Sequence, residues 1–223
     1  GVATARRIQK PREIAFALIP TLFAFQQWME GMLWLSFLDD AQAFNFTLTQ
    51  AFSLFSQVLW PVYIPVSVLM LETVPWRRKL LCAISFGGAA VSAFLLFYVV
   101  QRPVSSQIDV HHIQYIFPHF HTFTASGLYL LGACVAPLVS SYKSVRIFGL
   151  LITLSLAVTT YFYSAWFISV WCFFAALLSA AVFLHFRARQ PSQGWFTIED
   201  GLLLGTVATL TAGLAALALA DRL

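Results

Sequence analysis

The chain has 223 residues, of which 60% are hydrophobic and only 10% charged. A soluble domain carries roughly 25% charged residues, so this chain cannot cover a water-facing surface, and most of its exterior must face lipid. Its net charge of +4 does not mark a nucleic-acid partner, because the charges sit in small clusters between apolar runs, where membrane topology places them.

Taken in chain order, the first apolar run spans Glu13 to Phe37. The second covers about Thr47 to Leu71, the third Leu80 to Val100 and the fourth Phe123 to Ser140. Val145 to Phe186 is long enough for two spans with a turn near Tyr161 to Ser164, and a last run covers Gly201 to Ala220. A span needs about 20 apolar residues. The short alternating segments of a barrel are missing, so the spans must be helices. The expected fold is an all-α polytopic transmembrane bundle of about seven spans. Residues 1–186 form six helices, 187–200 a cytoplasmic linker, and 201–223 a terminal helix rich in small residues.

Charge orients the bundle. Arg6, Arg7, Lys10, Arg12, Arg77, Arg78, Lys79, Lys143, Arg146, Arg187 and Arg189 fall on one side, and Arg102 and Arg222 on the other. The positive-inside rule puts the former side in the cytoplasm, with Gly1. For a bacterial inner membrane the loop from Gln101 to His121 is then periplasmic. The chain begins at Gly1 and runs at once into Arg6 and Arg7, which reads as the end of a further helix upstream.

Four of the five histidines lie in one stretch of that loop: His111, His112, His119 and His121, with Asp109 beside them. Neutral imidazole is the commonest metal ligand. His119 and His121 on an extended segment point the same way, so a metal, haem or pigment site is one expectation, against a polar surface loop anchored by Tyr115, Phe117 and Phe120. His185, beside Arg187, reads as an interfacial residue. Inside the first helix stand Gln26, Gln27 and Glu30, spaced to share a face. A carboxyl at that depth is costly unless paired, hydrated or protonated; it reads as a structural polar cluster first and as an ion or proton site second. Pro61 and Pro65 predict a kink in the second helix. Cys82, Cys134 and Cys172 lie in apolar runs as inert thiols. Trp34, Trp60, Trp76, Tyr98, Tyr161, Tyr163 and Trp166 read as an aromatic belt, and Asn45-Phe46-Thr47 matches a glycosylation sequon. Gly201, Gly205, Thr209 and Gly213 form a small-residue ridge suited to close helix packing.

Two stretches carry a family resemblance. One is Pro11-Arg12-Glu13 followed by Gln26-Gln27-x-x-Glu30-Gly31 and Trp34; the other is Ser169 to Phe186. Together they resemble a family of small bacterial polytopic membrane proteins of unknown function, over residues 1 to about 187. The resemblance implies a helix upstream of Gly1 and no assigned activity. With no nucleophile motif, phosphate loop or zinc-protease motif, the leading expectation is a non-catalytic subunit of a larger membrane complex, partnered by lipid and by other membrane subunits. The alternatives are a metal-, haem- or pigment-binding protein using the histidine loop, and a transporter or sensor using Glu30.

Overall fold

The structure, a computed structural model, describes residues 2–38, 41–109, 112–117 and 123–187. Their long elements follow the apolar runs. Helix α1 is Ile14–Leu38, α2 Gln42–Leu71, α3 Pro75–Gln101, α4 Thr124–Val139, α5 Lys143–Phe162 and α6 Ser164–Arg187. A two-stranded antiparallel hairpin, β1 Ser105–Asp109 and β2 His112–Ile116, stands between α3 and α4. The expected turn near Tyr161 to Ser164 is present: Tyr163 leaves helical geometry between α5 and α6.

Four of these helices, α2, α3, α5 and α6, are long and apolar enough to cross a membrane. Helix α1 has the length, but Pro20, Gln26, Gln27 and Glu30 dilute its apolar character. Helix α4 is apolar but shorter. Large apolar side chains point outward along the bundle, among them Trp28, Phe86, Phe97, Leu150 and Leu154. On a soluble protein such a band would be an aggregation surface; against lipid it is matched. The final helix and the ridge at Gly201, Gly205, Thr209 and Gly213 lie outside the described residues, as do Asp39 and Asp40.

The kink in α2 takes a definite form. Residues Leu54–Leu59 make a π turn immediately before Pro61. In that spacing the Ser56 carbonyl would pair with the N–H at position 61, and proline has none. The Tyr129 hydroxyl of α4 donates to it at 2.6 Å. Ser92 of α3 donates to the Val58 carbonyl at 2.7 Å. Helix α4 repeats the device, with a π turn at Leu131–Val135 before Pro137. Three helices close on Pro61 because Gly88 of α3 and Gly132 of α4 both lie against its carbonyl; a Cβ on either would run into that oxygen.

At the arginine-rich end, Glu72 ties two loops together. Its carboxylate accepts from the backbone N–H groups of Thr73 and Val74, each at 2.9 Å, and from the N–H and hydroxyl of Ser141 at 2.6 and 2.8 Å. Arg77 and Arg78 donate to the Val139 and Leu69 carbonyls at the ends of α4 and α2, where helices leave carbonyls unpaired. Burial opposes the charge on Glu72, but these hydrogen bonds outweigh it and hold the carboxyl below its ordinary value of 4.5. His185, near the end of α6, turns into the bundle: it is buried, bonded to Ser144 and ringed by Phe16, Tyr142 and Phe186.

Gly88→Ala and Gly132→Ala should each cost about 1–3 kcal/mol through overpacking, read by thermal unfolding in detergent. Gly127→Ala, where a Cβ meets nothing within 4 Å, is the matched control, and equal melting of all three would refute the pinch at Pro61. Glu72→Gln should cost about 1–3 kcal/mol at neutral pH. Because the folded carboxyl titrates below its unfolded value, its contribution is present above pH 4.5 and fades as pH falls further. The Gln variant should therefore lose less stability than wild type on acidification; parallel acid curves would count against the interlock.

Candidate functional site

The hairpin is not a polar loop lying on a surface. Its second strand alternates, with Ile113 and Tyr115 turned inward and buried, as a strand against a core requires. The ring of Tyr115 stacks on Phe52 at 4.6 Å between centroids. Gln50 pairs its amide with both backbone groups of Val104, at 2.7 and 3.2 Å. Thr49 and Ser106 share a hydroxyl hydrogen bond at 2.7 Å, and Ser106 donates to Asn45. The Asn45 amide also donates to Ser36, so the sequon asparagine is engaged on both sides within the fold.

Under the hairpin, α1 and α6 border a cavity of about 340 Å³. Helix α1 contributes Gln27, Glu30, Gly31 and Trp34, one stripe at helical spacing. Helix α6 contributes Ser169, Val170 and Phe173, and His112 and Tyr163 complete the wall. A Cβ on Gly31 would meet nothing within 4 Å, so the wall is open there. Glu30 is 6% exposed. Its Oε2 accepts from the Gln27 amide at 3.2 Å, its Oε1 from the Tyr115 hydroxyl at 3.4 Å, and the Ser169 hydroxyl reaches the same carboxyl. Burial first, and the adjacent Glu30 carboxyl second, push the Tyr115 phenol well above its ordinary value, so the phenol remains a donor. Among the described residues, no lysine or arginine lines this cavity.

The polar trio of α1 therefore divides. Glu30 and Gln27 face the cavity, whereas Gln26 turns into the core and accepts from the Trp60 indole at 2.7 Å. Trp60, 3% exposed and stacked on Phe23 at 3.9 Å, is a core residue and not part of an aromatic belt. Tyr163 is buried too, whereas Trp76 and Tyr161 stand exposed as a belt requires. Cys134 and Cys172 are buried free thiols, and Cys82 is half-buried.

Of the histidine-loop residues, Asp109 accepts from the Trp166 indole at 2.9 Å. His112 lies over Trp166 with centroids 4.6 Å apart and meets the edge of Tyr163. His111, His119 and His121 lie outside the described residues. Among the described residues no three His, Cys, Asp or Glu side chains are grouped to hold a metal.

The two stretches that carry the family resemblance thus face each other: Gln27, Glu30, Gly31 and Trp34 from one, Ser169, Val170 and Phe173 from the other. A family model matches residues 1–196. The chain belongs to the family of unknown function DUF6629. No curated protein and no solved structure matches the chain. Membership in DUF6629 brings no activity with it, so any function must be argued from the cavity itself.

Tyr115→Phe keeps the stack on Phe52 and removes one long hydrogen bond, and should cost no more than about 1 kcal/mol. Tyr115→Ala should cost about 3–5 kcal/mol and release the hairpin, read as new protease cleavage between residues 102 and 117. A hairpin equally resistant in both variants would show that Tyr115 does not anchor it.

Proposed function

We propose that this membrane protein binds a small organic cation in the Glu30 cavity and acts as a sensor or transporter. The observation behind this reading is a buried carboxyl at the wall of a cavity, held by three donors and facing no lysine or arginine. A carboxyl buried in that way is expensive unless something matches it. Trp34, Tyr163 and Phe173 in the same wall offer the ring faces that attract an ammonium or guanidinium group. The wider arrangement we propose has about seven spans in a bacterial inner membrane. The arginine-rich end is cytoplasmic and the hairpin end periplasmic, on the strength of the charge asymmetry.

The accessory-subunit proposal rests on the short loops, the lack of a soluble domain or catalytic motif in the sequence, and the ridge at Gly201, Gly205, Thr209 and Gly213. The metal, haem or pigment proposal rests chiefly on His111, His119 and His121. Both sets lie outside the described residues, whereas the cavity reading has a described wall behind it.

The test is titration of tetramethylammonium and guanidinium into the purified protein in lipid nanodiscs, followed by calorimetry and thermal shift. Saturable binding of at least one probe is expected, reduced roughly tenfold or more in Glu30→Gln, the scale of losing a charged partner. Absence of saturable binding to wild type, or equal binding by Glu30→Gln, would defeat the proposal.

A further inference from the structure

Helix α6 borders two cavities. Ser169, Val170 and Phe173 border the Glu30 cavity; Ser164, Phe167, Ile168 and Trp171 border another, of about 290 Å³, enclosed with residues of α2, α4 and α5. That size is near the lower end of small-molecule pockets, roughly 300 Å³. Its walls are mostly apolar, with Leu130, Leu156, Phe167 and Ile168, and no described lining residue carries a charge. Thr160 and Ser164 at its edge are exposed beside the α5–α6 turn, so it opens at the hairpin end of the bundle.

Two buried polar side chains line this space. Gln57 is 1% exposed and Trp171 5%. Neither end of the Gln57 carboxamide, nor the Trp171 indole N–H, has a hydrogen-bond partner among the described residues. The contrast with their neighbours is sharp: Tyr129, Ser92 and Trp60 all find acceptors at 2.6–2.7 Å. Buried polar groups are nearly always paired, and each one that is not lowers stability. Gln57 also sits in the π turn of α2, a distortion that collects at functional sites. Two donors and an acceptor on side chains that line an uncharged, largely apolar cavity call for a complementary head group: neutral, with one oxygen to accept and one hydrogen to donate.

We propose that this cavity is a site for a neutral long-chain amphiphile drawn from the bilayer, with a hydroxyl or carboxamide head. The head oxygen accepts from the Trp171 indole and the Gln57 amide, the head hydrogen goes to the Gln57 carbonyl, and the chain lies along Leu130, Leu156 and Ile168. The site is separate from the Glu30 cavity, and neither proposal needs the other.

The experiment uses the full chain in lipid nanodiscs with a diazirine-bearing hexadecanol, irradiation, and peptide mapping by mass spectrometry. Labelling is expected on peptides containing Ser126–Leu130 and Leu156–Ile168, competed by hexadecanol and not by hexadecane. Gln57→Leu and Trp171→Phe should each weaken that competition roughly fivefold, the factor that one lost hydrogen bond gives. Label spread over the exterior without saturation, or competition by hexadecane equal to that by hexadecanol, would overturn the proposal. So would unchanged competition in both variants. The hexadecane comparison needs only the wild-type chain and so decides the matter even where a variant fails to fold.

Discussion

In a bilayer a backbone carbonyl has no water to fall back on, and Pro61 removes an N–H from the middle of α2 where one carbonyl needs it. Much of the bundle is arranged around that loss. The π turn at Leu54–Leu59 moves the mismatch to Ser56, and Tyr129 crosses from α4 to fill it. Ser92 crosses from α3 to Val58. Two hydroxyls can reach only if the helices come close, and they come close because Gly88 and Gly132 present no side chain to the Pro61 carbonyl. A defect in one helix thereby fixes the distance of two others. The same broken turn holds Gln57 in the interior, so the polar group with no partner follows from the same constraint as those that have one.

The helices were legible because hydropathy over about 20 residues is a strong signal. The observed bounds of α1, α2, α3 and α5 stay close to the apolar runs, and the break at Tyr163 falls within the expected turn. Partner choice was not legible. Gln26 and Glu30 are four apart and suggest a single cluster, but one turns to Trp60 and the other to Tyr115; spacing along a helix says nothing of what stands opposite. The hairpin was hidden for a related reason. Ser105–Asp109 is polar on both faces, so it lacks the alternation that marks a strand, and only its pairing with His112–Ile116 reveals it. Glu72 was invisible because its partners, Ser141 and the Thr73–Val74 backbone, leave no trace in composition.

Helix α6 is the most apolar of the four spanning helices, yet it borders both cavities. A lipid-facing helix needs one buried stripe, yet α6 is packed between two spaces: residues three and four apart share one of them, and residues two apart divide between them. Ser169 reaches toward Glu30 while Trp171, two positions on, turns to the far side. Two residues along a helix is about 200° of rotation, so such alternation is what a helix wedged between two cavities must show.

The cost of Glu30 sets a bound on how static the hairpin end can be. A carboxyl held by Gln27 at 3.2 Å and Tyr115 at 3.4 Å has long bonds for a charged acceptor, where 2.7–2.9 Å is usual. Gln27 lies one turn away on its own helix, but Tyr115 comes from the hairpin and is fixed by its stack on Phe52. The hydroxyl therefore cannot close the gap without moving the hairpin over α2. The hairpin is in this way tied to the cavity beneath it at one side chain, whose ring is held by Phe52 and whose hydroxyl reaches Glu30 through a long bond.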